Sequence, residues 1–258
     1  MPAAVLTGAT SGIGRALAGE LGNRGWDLGI TGRRAPQLTE IAGEITRQHP
    51  GRRVVTNVAD VSDPDAARES VRSLFAELGD VGLVVANAGI GGNHRIGAGQ
   101  FTRFRDIVTT NLIGAMATVD TAVECWRATP ATGSRRIVGI TSVAGFRGLP
   151  GSAAYSASKA GFSVYLEAAR GELRALGIDV IDIAPGFIDT PLNRDLPSRP
   201  FLIDSEDGAR RIADLIERGV TRTTVPVWPW TAIGWLMRGI PDAAWARFSG
   251  GVAHRGRG

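Results

Sequence analysis

Tyr155 and Lys159 stand four residues apart in Y-S-A-S-K-A-G-F-S-V-Y, which runs from residue 155 to residue 165. Lys159 is the only lysine of the chain, and both of its tyrosines lie in this stretch. Every other cation among the 29 Lys+Arg is an arginine. A spacing of four places both side chains on one face of a helix. A free phenol titrates near ~10, too high for efficient proton transfer at neutral pH. An ammonium a few ångströms away favours the phenolate, and bringing the phenol to neutrality takes roughly 4 kcal/mol of differential stabilisation. A bulky, flat guanidinium is a poorer neighbour than a compact ammonium, which accounts for a lone lysine in an arginine-rich chain. The pair is therefore a candidate proton donor and acceptor. Read in isolation, it is an exposed lysine beside a half-buried tyrosine.

Other candidate groups lie at turns. The first apolar run ends in T-G-A-T-S-G-I-G-R-A-L-A, Thr7 to Ala18. Gly8, Gly12 and Gly14, with Thr10, Ser11 and Ile13 between them, let the backbone turn sharply and approach a pyrophosphate at a helix N-terminus. The second strand ends in I-T-G-R-R, Ile30 to Arg34, with no acid at its end. An NAD site places a carboxylate there, whereas Arg33, and after it Arg34, can grip a 2′-phosphate. This favours NADP(H) over NAD(H); the competing reading is two solvated arginines at a helix start. Asp60 and Val61 follow the third strand, and Asn87, Ala88 and Gly89 the fourth. Ser142, in I-T-S-V-A-G, precedes Tyr155 by thirteen residues, and Asn111 sits in T-T-N-L-I-G. A-P-G-F-I-D-T, Ala184 to Thr190, contains Pro185, Gly186, Ile188 and Thr190. All but Asn111, on its helix, lie at carboxyl ends of strands, where open α/β sheets bind ligands.

These placements rest on a reading of the elements. Apolar runs predict strands over residues 3–7, 27–31, 53–58, 83–86, 136–140, 179–183 and 223–227. Amphipathic stretches predict helices over 13–23, 38–48, a segment capped by Ser62 or Asp63 and ending at Leu78, 104–128, 152–176 and 205–218. Strands alternating with helices imply βαβ units and a parallel sheet. No linker interrupts the alternation, so residues 1–258 read as one dinucleotide-binding and catalytic domain.

Taken together, the T-G-x-x-x-G-x-G turn, A-N-A-G and the set Asn111–Ser142–Tyr155–Lys159 resemble the classical short-chain dehydrogenase/reductase family over residues 3 to 190. One departure is Ala86, where the family commonly has the first Asn of N-N-A-G. The resemblance implies a single-domain, Rossmann-like, doubly wound parallel sheet of about seven strands with helices on both faces. It implies that Tyr155 gives a proton to a carbonyl oxygen or takes it back, while Ser142 holds that oxygen. Lys159 lowers the tyrosine and anchors the nicotinamide ribose, and Asn111 holds a relay water. Asp60 meets the adenine, and Ile188 and Thr190 hold the carboxamide. The resemblance also implies pairing through the two long helices, hence a homodimer or homotetramer.

The bulk numbers set the remaining bounds. Hydrophobic residues make up 43% and charged residues 21% at a net charge of +4, an ordinary globular balance that suits an anionic small molecule. The arginines form no basic block apart from His254–Gly258, read as a frayed terminus, so no nucleic-acid partner is expected. A lone cysteine, Cys125, gives neither a disulfide nor a metal-ligand spacing, so no metal is expected. The opening M-P-A-A-V-L-T-G lacks a signal-peptide pattern, and a cytoplasmic setting follows. The resemblance implies that residues 191–220 form a substrate lid. Phe146, Leu149, Phe187, Leu192 and Leu196 are candidates for an apolar pocket, and Arg147 or Arg194 for an anionic group. Val225–Pro241 holds half of the tryptophans. It opens an apolar C-terminal extension, 225–250, with three competing readings: a pocket wall, an oligomer interface and a membrane-surface segment. The last is the least favoured. The expected activity is hydride transfer between NADP(H) and a carbonyl or alcohol. A non-catalytic NADP(H)-binding sensor or scaffold is the alternative, and a sugar epimerase or dehydratase a more distant one.

Overall fold

The computed structural model of the chain describes residues 3–129 and 133–255. Among them seven strands form one parallel sheet: β1 (Ala3–Thr7), β2 (Asp27–Gly32), β3 (Val54–Val58), β4 (Val81–Ala86), β5 (Arg135–Ile140), β6 (Ile178–Pro185) and β7 (Arg222–Val225). Their order is β3-β2-β1-β4-β5-β6-β7. The chain steps outward from β1 to β3, then returns to β4 on the other side of β1. The direction of winding reverses between β1 and β4, which opens a crevice at their carboxyl ends.

The sheet is covered on both faces. Helices α1 (Gly12–Asn23), α2 (Ala35–Gln48) and α7 (Ser205–Glu217) lie on one side; α3 (Pro64–Leu78), α5 (Gly114–Arg127) and α6 (Ala153–Leu173) lie on the other. Alternate strand residues serve the two cores. Leu6, Ile30, Val138 and Ile183 pack with Leu17, Ile41 and Ile212, whereas Val5, Val84, Ile137 and Val180 pack with Leu74, Val119 and Phe162. Burial on both faces explains the unbroken apolar runs, and all five residues of β1 are buried.

Local chemistry sets the boundaries. Asp63 caps α3 by accepting from the backbone of Asp65 and Ala66 at 3.0 and 3.2 Å, with Pro64 in the first turn. The helix expected over 104–128 is divided into α4 (Phe101–Val108), a π-helical turn (Thr109–Ile113) and α5. The helix expected to reach residue 176 ends as α6 at Leu173, followed by a 3₁₀ turn that Gly177 closes in the left-handed conformation at φ 66. β7 stops at Val225 rather than at residue 227, because Pro226 lacks the N–H that would continue the ladder. Two helices follow, α8 (Val227–Gly239) and α9 (Asp242–Arg255). No described helix is long and apolar enough to cross a membrane. The end of the His254–Gly258 tail lies outside the described residues.

Candidate active site

The glycine turn is shaped by close approach. Gly8 has φ +70, and a Cβ there would come within 2.7 Å of the Ala88 Cα. A Cβ on Gly14 would lie 2.2 Å from the Gly8 carbonyl oxygen. α1 therefore begins hard against the end of β1. Asn87 braces the turn, donating from Nδ2 to the Thr7 carbonyl at 2.9 Å and more loosely to that of Gly8 at 3.3 Å. The Thr7 hydroxyl accepts in return from the backbone N–H groups of Asn87 and Ala88 at 3.1 and 3.2 Å. Ser11, at the head of α1, is extended and its side chain does not cap the helix. The first-turn N–H groups near Gly12 and Ile13 are thus left to an anionic ligand, which suits the pyrophosphate of a dinucleotide.

The two arginines after β2 part company. Arg34 donates from Nη2 to the Thr10 carbonyl at 3.0 Å and to its hydroxyl at 2.9 Å, tying the glycine turn to the end of β2. Gly32 makes room for this, since a Cβ there would lie 2.8 Å from the Thr10 methyl. The Arg33 side chain is 63% exposed and only approaches Asp60, at 3.7 Å. Asp60 Oδ1 accepts from the Ser62 N–H at 2.9 Å. Burial pushes the Asp60 carboxyl up, but the bonds from Ser62 and the nearby Arg33 guanidinium outweigh it and hold the group below its usual range. The buried Val61 turns its carbonyl to the head of α5, where a Cβ on Gly114 would lie 2.1 Å from that oxygen.

Asn111, Ser142, Tyr155 and Lys159 come together where β4 and β5 end. Ser142 heads a 3₁₀ turn (Val143–Gly145), and its hydroxyl accepts from the Ala144 N–H at 3.1 Å. That turn rests on α6: a Cβ on Gly145 would lie 2.9 Å from the Ala160 nitrogen. The contact sets the Ser142 hydroxyl close to the Tyr155 phenol. Lys159, one turn further along α6, is buried and donates from Nζ to the Ile140 carbonyl at 2.8 Å. Asn111 sits in the π-turn, a distortion common at functional sites. Its Oδ1 accepts from the Ile90 N–H at 2.8 Å, and its Nδ2 donates to the Ile90 carbonyl at 2.9 Å and to Ser158 Oγ at 3.1 Å. Ser158 in turn donates to the Tyr155 carbonyl at 2.8 Å. Asn111 Oδ1 and Lys159 Nζ converge over Gly89, lying 3.2 and 3.4 Å from where a Cβ would be.

The electrostatics differ from the sequence expectation in one respect. Burial pushes the Tyr155 phenol above its ordinary value, and the hydrogen bond with Ser142 only opposes this. The opposing influence comes from Ser142 and not from Lys159. Burial also lowers Lys159, to about 8, against an opposing contribution from the buried carboxylate of Asp182.

The substrate side lies beyond β6. Gly186 donates its N–H to the Val225 carbonyl at 2.9 Å, which holds the Pro185–Gly186 turn to β7. Thr190 is buried, with its methyl 3.1 Å from where a Cβ on Gly12 would be. The Ile188 carbonyl accepts from Asn193 Nδ2 at 2.8 Å. Residues 187–203 are zipped at their ends, Ile203 donating to Phe187 at 3.1 Å and accepting from Asp189 at 2.8 Å. Leu192 reaches back over Gly91, beside the Tyr155 ring. Helix α8 packs across this region. Gly234 lies against Phe146, whose ring carries the Arg238 guanidinium 4.4 Å from its centroid, and Trp230 lies against Gly186 and, edge-on, Phe187. Arg147, expected to be free for an anion, is committed instead to the Ile240 carbonyl at 3.2 Å, to Asp242 at 2.8 Å and to the Trp245 ring.

Three participants had no place in the sequence reading. Thr7 clamps the fourth strand's loop, but a threonine ending a strand carries no distinct signal. Trp230 was legible only as one tryptophan among several. Asp182 does carry a sequence signal: an acid within the apolar run D-V-I-D-I is costly unless partnered.

Comparison with known proteins points one way. A family model described as short chain dehydrogenase matches residues 2–200. An uncharacterized oxidoreductase of Myxococcus xanthus (strain DK1622) is 40% identical over 228 residues, spanning 86% of this chain and 87% of the relative. An uncharacterized oxidoreductase of Mycobacterium tuberculosis (strain ATCC 25618 / H37Rv) is 33% identical over 246 residues, spanning 95% of this chain and 96% of the relative. Among solved structures, the alcohol dehydrogenase from the archaeon Thermococcus sibiricus, complexed with 5-hydroxy-NADP, matches with a TM-score of 0.77 at 25% identity. That match covers 87% of this chain and 95% of the other.

Proposed function

The chain belongs to the short-chain dehydrogenase/reductase family, and on that premise we propose that it transfers a hydride between NADP(H) and a carbonyl or alcohol substrate, with Tyr155 as general acid and base. The observation that carries this is the convergence of Ser142, Tyr155, Lys159 and Asn111 at the ends of β4 and β5. When bound, the nicotinamide supplies or takes the hydride. The chain's residues do the rest. Ser142, oriented by the Ala144 N–H, holds the substrate oxygen beside the phenol. Tyr155 delivers a proton to that oxygen in reduction and removes it in oxidation. Lys159 stabilises the phenolate and would hold the nicotinamide ribose. Asn111 fixes the Ile90 loop, and its Oδ1 comes up to Gly89 beside Lys159 Nζ, where it would help hold a relay water.

Gly8, Thr10, Ser11, Gly12, Ile13 and Gly14 would cradle the pyrophosphate. Asp60 would meet the adenine, Val61, Asn87, Ala88 and Gly89 would line the cofactor cleft, and Pro185, Gly186, Ile188 and Thr190 would border the carboxamide. The preference for NADP(H) rests on Arg33, whose guanidinium is largely exposed at the end of β2, and is supported by the 5-hydroxy-NADP complex of the Thermococcus sibiricus relative. Within the 191–220 lid, the substrate-facing part is 191–204, since α7 buries Ile212 and Ile216 in the core. The extension from residue 225 contributes a wall through Trp230 and Gly234. We assign the chain to the cytoplasm and to a homodimer or homotetramer formed through its long helices. The test is the change in nicotinamide absorbance on mixing the protein with ketones, aldehydes and alcohols, using both cofactors. Turnover with NADPH above NADH is expected; no turnover with any substrate would overturn the proposal.

A further inference from the structure

Asp182 is 1% exposed on β6, within the core beneath α6. Its Oδ1 accepts from the Thr141 hydroxyl at 2.6 Å, and its Oδ2 from the Ser163 hydroxyl. Arg222, from β7, brings Nε to 3.3 Å of Oδ2 and donates to Ser163 Oγ at 2.9 Å. Ser163 lies one helical turn beyond Lys159, and Thr141 follows Ile140, whose carbonyl accepts the hydrogen bond from Lys159 Nζ. The carboxylate thus touches both neighbours of the lysine's seat, one on α6 and one just past the end of β5. A purely apolar residue would fill this place at less cost in desolvation.

The charges around Asp182 are few. From α6 come Lys159 and, through Arg222 at 3.8 Å, Glu167; Arg170 of the same helix binds the Val180 carbonyl two residues away on β6. β7 brings Arg222, and α8 brings Arg238, whose guanidinium is also influenced by Asp182. The Arg222 side chain is 38% exposed and that of Asp182 2%. Water screens the arginine far more than the acid, so the field reaching inward to Lys159 is negative.

We propose that Asp182 is a positioning residue for the Tyr155–Lys159 pair, acting through Lys159: its buried carboxylate keeps the chain's single lysine an ammonium. This rests on the function proposed above for that pair, but its test does not. Carbon-13 lysine labelling gives one side-chain signal, because Lys159 is the only lysine. Its titration midpoint should fall near about 8 in the wild type. In Asp182→Asn the midpoint should drop by about one pH unit. The amide keeps the shape, and Thr141 retains the Ile183 carbonyl as an acceptor at 3.1 Å. In Arg222→Gln, which strips the acid of its counter-charge, the midpoint should rise. A residue that only braced the fold would leave the lysine unmoved in both. The proposal is overturned by an unmoved midpoint in Asp182→Asn or, should that variant not fold, by one that fails to rise in Arg222→Gln. The alkaline limb of carbonyl reduction should move with the midpoint. Absence of any turnover in the wild type would count against the proposed function alone, since the lysine titration is read without substrate.

Discussion

Lys159 donates from Nζ to the Ile140 carbonyl at 2.8 Å, inside the protein and at the end of the strand that leads into Ser142. An ammonium held there is costly. Burial lowers Lys159 to about 8 from an ordinary 10.5, with Asp182 resisting. Between those values the unfolded chain binds more protons than the folded one, so stability rises with pH across that window. The cost is fully present below pH 8 and gone above 10.5. Lys159→Met removes the group that titrates. The stability of wild type relative to Lys159→Met should therefore improve by roughly 3 kcal/mol from pH 8 to pH 10.5. Urea unfolding of both proteins at the two pH values measures it, and a constant difference would contradict the buried, depressed ammonium.

Tyr155→Phe removes one hydroxyl and leaves the ring that packs beside Leu192 and Gly91. If the phenol is the acid and base, kcat should fall roughly 10²–10⁴-fold. NADPH affinity, followed by fluorescence titration, should stay close to that of the wild type. Retained turnover would remove Tyr155 from the chemistry; lost binding of NADPH would make it a cofactor ligand first.

The sheet was legible because each central strand, buried on both faces, must be a nearly unbroken apolar run, as Ala3–Thr7 is. The gathering of Ser142, Tyr155 and Lys159 followed from where those runs end. The π-turn at Asn111 was not legible: it goes with bonds to Ile90, twenty-one residues earlier, and no local propensity encodes them. Helix α8 was hidden for a similar reason. Val225–Pro241 has prolines and tryptophans but no clear period, and what seats it is Gly234 on Phe146 and Trp230 on Gly186. Arg147 looked available for a ligand because its partner, Asp242, lies ninety-five residues on.

Arg33 and Arg34 adjoin in sequence but face different tasks. Arg34 spends its donors on Thr10, whereas Arg33 leaves most of its side chain in solvent. Arg33→Ala should weaken NADPH roughly 10–100-fold, the loss of charge-assisted bonds, with NADH little changed. Arg34→Ala should loosen the glycine turn and weaken both cofactors alike. Isothermal titration with each nucleotide separates the two, and equal losses for both cofactors in Arg33→Ala would refute the phosphate clamp.

Two glycines of α1 should respond to alanine with opposite signs. At Gly14 the added methyl would lie 2.2 Å from the Gly8 oxygen and 2.6 Å from Asn87 Nδ2. Backbone cannot yield there without moving the end of β1 away from the head of α1. Gly14→Ala should cost about 1–3 kcal/mol and weaken dinucleotide binding. At Gly19, on the same helix, a Cβ meets nothing within 4 Å. The methyl there only narrows the unfolded ensemble and favours helix, so Gly19→Ala should gain about 0.5–1 kcal/mol and leave binding intact. Thermal unfolding with and without NADPH reads both effects. A neutral Gly14→Ala that still binds NADPH would mean that α1 can withdraw from β1, and that the turn owes its shape to something other than this contact.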